Sequence, residues 1–352
     1  MPDLFRFAGN DYLGLATHPA VVEALCEAAR TYGVSATSSR WAQGWTPLHE
    51  NLERELRKWQ GTEDACIFGA AYLGGAIYYG CMAAAGYRTV FCDETVHVNQ
   101  FLGMRAAGLE IRKFRHLDVE DLRRLTAGYR GPPAIVATDG VYALSGEVAP
   151  VAGLAAAAAS IGAALFVDDA HGVGVLGPNS RGVVEAAGLP PGAATVLGSF
   201  SKALGTGGGF LAGRRELVER FRRSPEASGS TIGSPALAAA TLAALRILRT
   251  DPTPRRRLEA NAAFMRRTLS EAGIGLVDTR HPILGMLLRD EPEASSLDAH
   301  FREHGIWIPY FKYASEPRHN LLRGAARAVY TDELLERFAR AVRSRPGSSS
   351  RG

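Results

Sequence analysis

The 352-residue sequence predicts an α/β fold, a central sheet covered on both faces by helices, with a smaller C-terminal α/β domain. Three observations carry this. Short β-rich apolar runs recur between longer helical stretches, apolar residues inside those stretches recur at intervals of three or four, and the texture changes after Pro235. With 46% hydrophobic and 22% charged residues, the chain can bury a large core.

Seven runs read as buried strands: 65–68, 89–92, 109–114, 134–138, 164–167, 195–198 and 209–212. Between the motifs that precede and follow it, 48–60 reads as a helix, because Leu48, Leu52, Leu56 and Trp59 form one apolar stripe. The Ala- and Gly-rich stretch after Val151 reads as a helix that hands over to the strand ending at Asp168. Segments 236–249 and 257–272 read as long helices, followed by a second strand and helix series from Ile283 to about Val342. The expected organisation is an N-terminal segment (1–32), a large domain (33–235), a small domain (236–344) and a disordered tail (345–352).

A formal charge of +4 is too small a surplus to imply a nucleic-acid partner. Arg214–Arg215, Arg222–Arg223 and 255–257 alternate with acidic and apolar residues as solvated helix faces do. Cys26, Cys66, Cys81 and Cys92 lack metal-site spacing or a disulfide pattern, so neither a metal nor an oxidising compartment is expected. The start lacks the features of a secretory leader, and the longest apolar run (151–167) breaks into a helix and a strand. A cytoplasmic protein that does not enter a membrane is the expectation.

In an open α/β sheet, ligands bind beyond the carboxyl ends of the strands. Those positions here hold Asp93 and His97, then Asp139, then Asp168-Asp169-Ala170-His171-Gly172, then Ser199-Phe200-Ser201-Lys202. Lys202 is one of only four lysines, with Lys58, Lys113 and Lys312, and it opens the glycine-rich run Ala203 to Gly209. Glycines let the backbone pass close to a bulky group, and a lysine in a dry site becomes a nucleophilic amine. The run lacks the G-x-G-x-x-G spacing of a dinucleotide loop. Lysine, aspartate and histidine at strand ends are instead the set that pyridoxal 5′-phosphate (PLP) requires: an amine to bond the aldehyde, and a carboxylate to keep the pyridine nitrogen protonated.

The sequence resembles the α-oxoamine synthases of PLP fold type I, from Asn10-Asp-Tyr-Leu-Gly-Leu15 to Thr331. Ser38-Ser-Arg40, Gly44, His49 and Glu53 resemble the family's S-R-x-x-x-G-x-x-x-x-H-x-x-L-E run. The segment from Val167 to Gly172 is nearly identical to the family's most specific motif, and that from Gly198 to Gly205 matches its Schiff-base segment. The resemblance implies an aspartate-aminotransferase-like fold with a mostly parallel seven-stranded sheet, and a homodimer with shared active sites. It implies a decarboxylative condensation of an amino acid with an acyl thioester.

Carried over by position, the resemblance makes Lys202 the Schiff-base lysine and the acid/base at Cα. Asp168 pairs with the pyridine nitrogen, His171 with the ring oxygen, and His97 stacks on the ring. Asp139 joins the cofactor-binding set. The backbone N–H groups of Ala71 and Tyr72, the Ser199 hydroxyl and Thr231 of the neighbouring subunit hold the phosphate. Arg323, with Asn10 and Tyr12, meets the substrate carboxylate, and Arg327 is the next candidate for it.

The sequence departs from the family around the substrates. The N-terminal helix that many members have is expected to be missing. Ala71 and Gly75 stand where Gly and Asn are usual, Val96-His-Val-Asn99 replaces N-H-A-S, and Tyr142-Ala-Leu-Ser145 replaces F-S-M-D. A same-fold PLP enzyme that uses the amino-acid carbanion differently, in aldol cleavage, transamination or addition to an unusual electrophile, is therefore the alternative. A binding protein without turnover is disfavoured by the intact Lys202, Asp168 and His171.

Overall fold

The computed structural model describes residues 4–228, 232–311 and 321–345. The chain forms two compact units, one of residues 15–141 and 149–250 and one of 1–14, 142–148 and 251–352. Seven strands build the sheet of the larger unit: β1 (Asp64–Phe68), β2 (Thr89–Asp93), β3 (Glu110–Phe114), β4 (Ala134–Asp139), β5 (Ala164–Asp168), β6 (Thr195–Ser199) and β7 (Gly209–Gly213). Their order is β1-β7-β6-β5-β4-β2-β3, parallel throughout except that β7 runs antiparallel to both β1 and β6. The seven apolar runs of the sequence are these strands. Six of them are buried almost throughout because both faces are covered, whereas the edge strand β3, Glu-Ile-Arg-Lys-Phe, is half-buried or exposed except at Phe114.

Helices α1 (Pro19–Tyr32), α2 (Pro47–Gln60), α3 (Ala71–Ala84), α4 (Val98–Ala106), α5 (Val119–Thr126), α6 (Val151–Ser160), α7 (Arg215–Arg223) and α8 (Pro235–Thr250) surround the sheet. Residues of α3, α4 and α7 pack onto alternate sheet residues such as Val90, Ile135, Phe166 and Leu197 to form one core. Phe166 stacks on Tyr78 of α3 with centroids 4.1 Å apart. Helix α6 packs on β4 and β5 and against α5. Helix α8, which the change of texture at Pro235 assigns to the small domain, packs on α1 and α2 inside the larger unit.

The smaller unit carries the antiparallel sheet β10-β11-β9-β8, from β8 (Gly275–Leu276), β9 (Ile283–Leu287), β10 (Tyr310–Phe311) and β11 (Leu321–Ala325). Helices α9 (Thr253–Glu271), α10 (Glu291–Glu303) and α11 (Asp332–Arg343) accompany it. Helix α9 starts four residues before the expected 257, since Pro254 is well placed in a first turn, where its missing N–H costs nothing. Phe5–Arg6 pairs in parallel with Ile306–Trp307, and Phe7, Tyr330 and Phe338 form an aromatic cluster beside it. No helix among the described residues is long and apolar enough to cross a membrane.

Candidate active site

Lys202 lies just beyond β6 in a loop closed by its own backbone. Phe200 N–H donates to Gly208 O at 3.0 Å, Thr206 N–H to Phe200 O at 2.9 Å and Gly205 N–H to Lys202 O at 2.9 Å. Gly205 has φ +66°, and a Cβ there would stand 2.2 Å from the backbone nitrogen of Ala16, so the turn needs glycine.

Asp168 ends β5, opposite Asp139 of β4 in the register of the two strands. It is buried, and its Oδ1 accepts the Ala170 N–H at 3.2 Å. Burial pushes its carboxyl up, and the charges of Lys202 and His97, with the Ala170 N–H, pull against that rise. Asp169 serves a different purpose. Fully buried, it accepts the Val183 N–H on Oδ2 at 2.7 Å, and a Cβ at Gly140, Gly172 or Gly182 would collide with its carboxyl. The glycine of the Asp-Asp-Ala-His-Gly run is thus required by Asp169, whereas Asp168 feels the lysine. His171 sits buried in the turn made by Gly172 and Val173 N–H groups donating to Asp169 O.

His97 starts α4. Its backbone N–H donates to Asp139 Oδ2 at 3.0 Å, and its ring lies edge-to-face with Tyr72, centroids 6.2 Å apart. The other Asp139 oxygen accepts from the Gln100 amide, whose oxygen takes the Tyr79 hydroxyl at 2.7 Å. Burial and the neighbouring Asp168 push the Asp139 carboxyl well up, against the His97 N–H and the Gln100 amide that donate to it. Through these bonds Asp139 anchors the His97 loop.

The N-terminus of α3, Ala71 and Tyr72, carries no side-chain cap. Gly209, the register partner of Ser199, lies so close that its Cβ would be 2.8 Å from Ala71 Cα. An uncapped helix start therefore lies against the Gly209 backbone, beside the strand end that carries Ser199, whose hydroxyl bonds to Ser201 Oγ at 2.9 Å; free helix N–H groups of this kind suit a phosphate. With Asp168, Lys202 and His97 grouped by their charges, these residues fit PLP. Ser230 and Thr231 lie outside the described residues, as do Lys312 and the tail from 346. Among the described residues no group of three or more His, Cys, Asp or Glu side chains is arranged to hold a metal.

In the smaller unit, Arg323 of β11 is 4% exposed. Its Nε donates to Ala143 O at 3.0 Å, one terminal nitrogen to Ala8 O at 2.6 Å, and the other to Asn10 Oδ1 at 2.7 Å with the Tyr12 hydroxyl 3.4 Å away. Burial pushes the Tyr12 phenol up to about 12, so it stays neutral. Every one of these acceptors is uncharged, and no carboxylate among the described residues forms an ion pair with Arg323. Arg327, the sequence's second candidate, is neutralised by Asp11, with Nη2 to Oδ2 at 2.5 Å.

Gln100, Tyr79 and the carbonyls of Ala8 and Ala143 are not among the residues the sequence singles out. Gln100 left a faint signal, a polar residue three positions after His97 on a buried helix face. The carbonyls left none.

Residues 2–342 match the family described as aminotransferase class I and II. The chain is 36% identical over 337 residues to the 8-amino-7-oxononanoate synthase of Chromohalobacter salexigens, covering 94% of this chain and 86% of the relative. It is 35% identical to that of Methylococcus capsulatus, covering 96% and 89%. Among solved structures, serine palmitoyltransferase from S. paucimobilis with a bound PLP–myriocin aldimine is similar at a TM-score of 0.90 and 29% identity, covering 97% of this chain and 88% of that one. The chain belongs to the aminotransferase class I and II family, in its α-oxoamine synthase branch.

Proposed function

We propose that the protein is a PLP-dependent α-oxoamine synthase, which condenses an α-amino acid with an acyl thioester, releases CO2 and the free thiol, and leaves an aminoketone. The observation that carries this is that Asp168 at the end of β5 feels both Lys202, beyond β6, and His97, beyond β2, in a chain similar to α-oxoamine synthases over nearly its whole length.

PLP, when bound, supplies an aldehyde for amines to bond and a ring that takes up the electron pair left at Cα. Lys202 would hold it through Nζ, and the same amine would take and return a proton at the substrate Cα. Asp168 sets a negative charge against the ring nitrogen and keeps that nitrogen protonated. His171 hydrogen-bonds the ring oxygen and His97 stacks on the ring. The α3 N–H groups, Ser199 and Thr231 hold the phosphate, and Arg323 receives the α-carboxylate. The four free cysteines suit a reducing compartment, and we place the protein in the cytoplasm.

The test is turnover. Purified holo-protein is mixed with a panel of amino acids, with and without acyl-CoA thioesters, and thiol release and product mass are followed. Thiol release that requires one amino acid is expected. Exchange of the Cα hydrogen without thiol release from any thioester would sink the reading.

A buried guanidinium that meets only neutral acceptors retains a full charge for an anion, which supports the role given to Arg323. Arg323→Lys is expected to raise the amino-acid KM by roughly 10- to 100-fold, because a lysine offers a point charge in place of a planar fork. PLP affinity is expected to stay within a few-fold. An unchanged KM would remove Arg323 from substrate binding.

The homodimer of the reading is supported by Tyr72 and Leu73 of α3 and Val98 and Leu102 of α4. These four apolar side chains are about half exposed on neighbouring helices that begin at the cofactor residues. Light scattering is expected to give twice the chain mass. A fully active monomer would contradict shared sites.

A further inference from the structure

We propose that Asn99 fixes the tautomer of His97, holding the ring proton on Nδ1 and leaving Nε2 as a lone pair. The consequence for chemistry rests on the reading of His97 as a cofactor-site residue; the tautomer itself does not.

Asn99 is buried in the first turn of α4, 6% exposed. Its Nδ2 donates to the Tyr72 carbonyl at 3.0 Å, and a carbonyl oxygen can only accept. The reverse amide orientation would set two oxygens against each other at that distance, so the Tyr72 bond determines which way the amide faces. Oδ1 is then the atom 2.7 Å from His97 Nδ1. An amide oxygen also only accepts, so Nδ1 must carry the hydrogen. The Asn99 backbone N–H stands 3.3 Å from the same nitrogen and would need a lone pair there. A neutral ring nitrogen cannot do both, and the shorter contact would be a repulsion between lone pairs if Nδ1 were unprotonated.

The rest of the ring's setting holds this arrangement in place. The His97 backbone is tied to Asp139, Asp139 to Gln100 and Gln100 to Tyr79, while Tyr72 supplies both the carbonyl that orients Asn99 and the aromatic edge beside the imidazole. Nε2 has no hydrogen-bond partner among the described residues. It is therefore the ring atom left for ligands, and in the neutral ring it accepts a hydrogen bond or a proton and cannot donate one. Donation from Nε2 to a substrate carboxylate requires the imidazolium. A serine at position 99, as in the N-H-A-S pattern, would not impose this choice, since a hydroxyl donates as readily as it accepts. Asn99 is in this sense a positioning residue, acting through His97.

The experiment is long-range 1H–15N NMR on holo-protein labelled at histidine, with His97→Gln assigning the signals, at a pH where the ring is neutral. The expected result is a protonated-nitrogen shift at Nδ1 and an unprotonated one at Nε2. Asn99→Ala should move the proton mainly to Nε2, the commoner site in free imidazole. With the tautomer released, Asn99→Ala should also lower kcat about tenfold with little change in the amino-acid KM. A proton on Nε2 in the parent protein, or a Nδ1 proton that survives Asn99→Ala, would overturn the proposal. The spectrum needs no turnover, so its failure and the failure of the synthase reading are separable.

Discussion

Lys202→Ala is expected to abolish turnover, with kcat falling by at least about 10⁴-fold, while the sheet and its helices stay folded. Under the proposed function, the size of the effect follows from two tasks of one amine, covalent retention of the cofactor and proton transfer at Cα. The side chain is partly exposed at a turn whose closure depends on backbone bonds between Phe200, Thr206, Gly205 and Gly208, none of which the substitution touches. An unchanged circular dichroism spectrum, PLP that is bound but lost on gel filtration, and no product should therefore occur together. Retained activity in the alanine variant would remove the lysine from the chemistry.

Asp168→Asn should lower kcat by about 10³-fold, or about 4 kcal/mol, and weaken PLP binding far less. The amide keeps an oxygen for the Ala170 N–H and nearly the same volume, so the end of β5 should not move. What it loses is the charge. If Asp168 has the role proposed for it, then without a carboxylate the ring nitrogen would give up its proton and the electron sink would weaken, while the residues proposed to hold the phosphate and the ring face are unchanged. Cα hydrogen exchange at the parent rate in Asp168→Asn would assign the role elsewhere. Asp169 is a poor substitute, since it is enclosed by Gly140, Gly172 and Gly182 with its own backbone partner at Val183.

Most of the sheet was legible because the inner strands, buried on both faces, stand out as apolar runs, and the polar residues that end them mark the ligand edge; the edge strand β3 mixes charged and apolar residues instead. The position of α8 was not legible. An Ala-rich helix with apolar residues on several sides shows that it is buried, but not which neighbours bury it, and the texture change at Pro235 marked a helix start rather than the edge of a unit. In the site, Lys202 and Asp168 were visible because each sits at a strand end in an unusual sequence context. Asn99, Gln100 and Tyr79 were not, because a polar residue on a helix is read as solvated until the packing shows that it is buried and paired. The two candidate arginines could not be ranked by composition. Their partners distinguish them: Asp11 neutralises Arg327, whereas among the described residues the acceptors of Arg323 are neutral oxygens, which favours Arg323 in the proposed role.

Borohydride reduction of the holo-protein, followed by peptide mapping, tests the central claim most directly. The account predicts a yellow protein that is fixed by reduction with a single pyridoxyl group on Lys202. A label on Lys58, Lys113 or Lys312, or a protein that takes up no PLP, would contradict it.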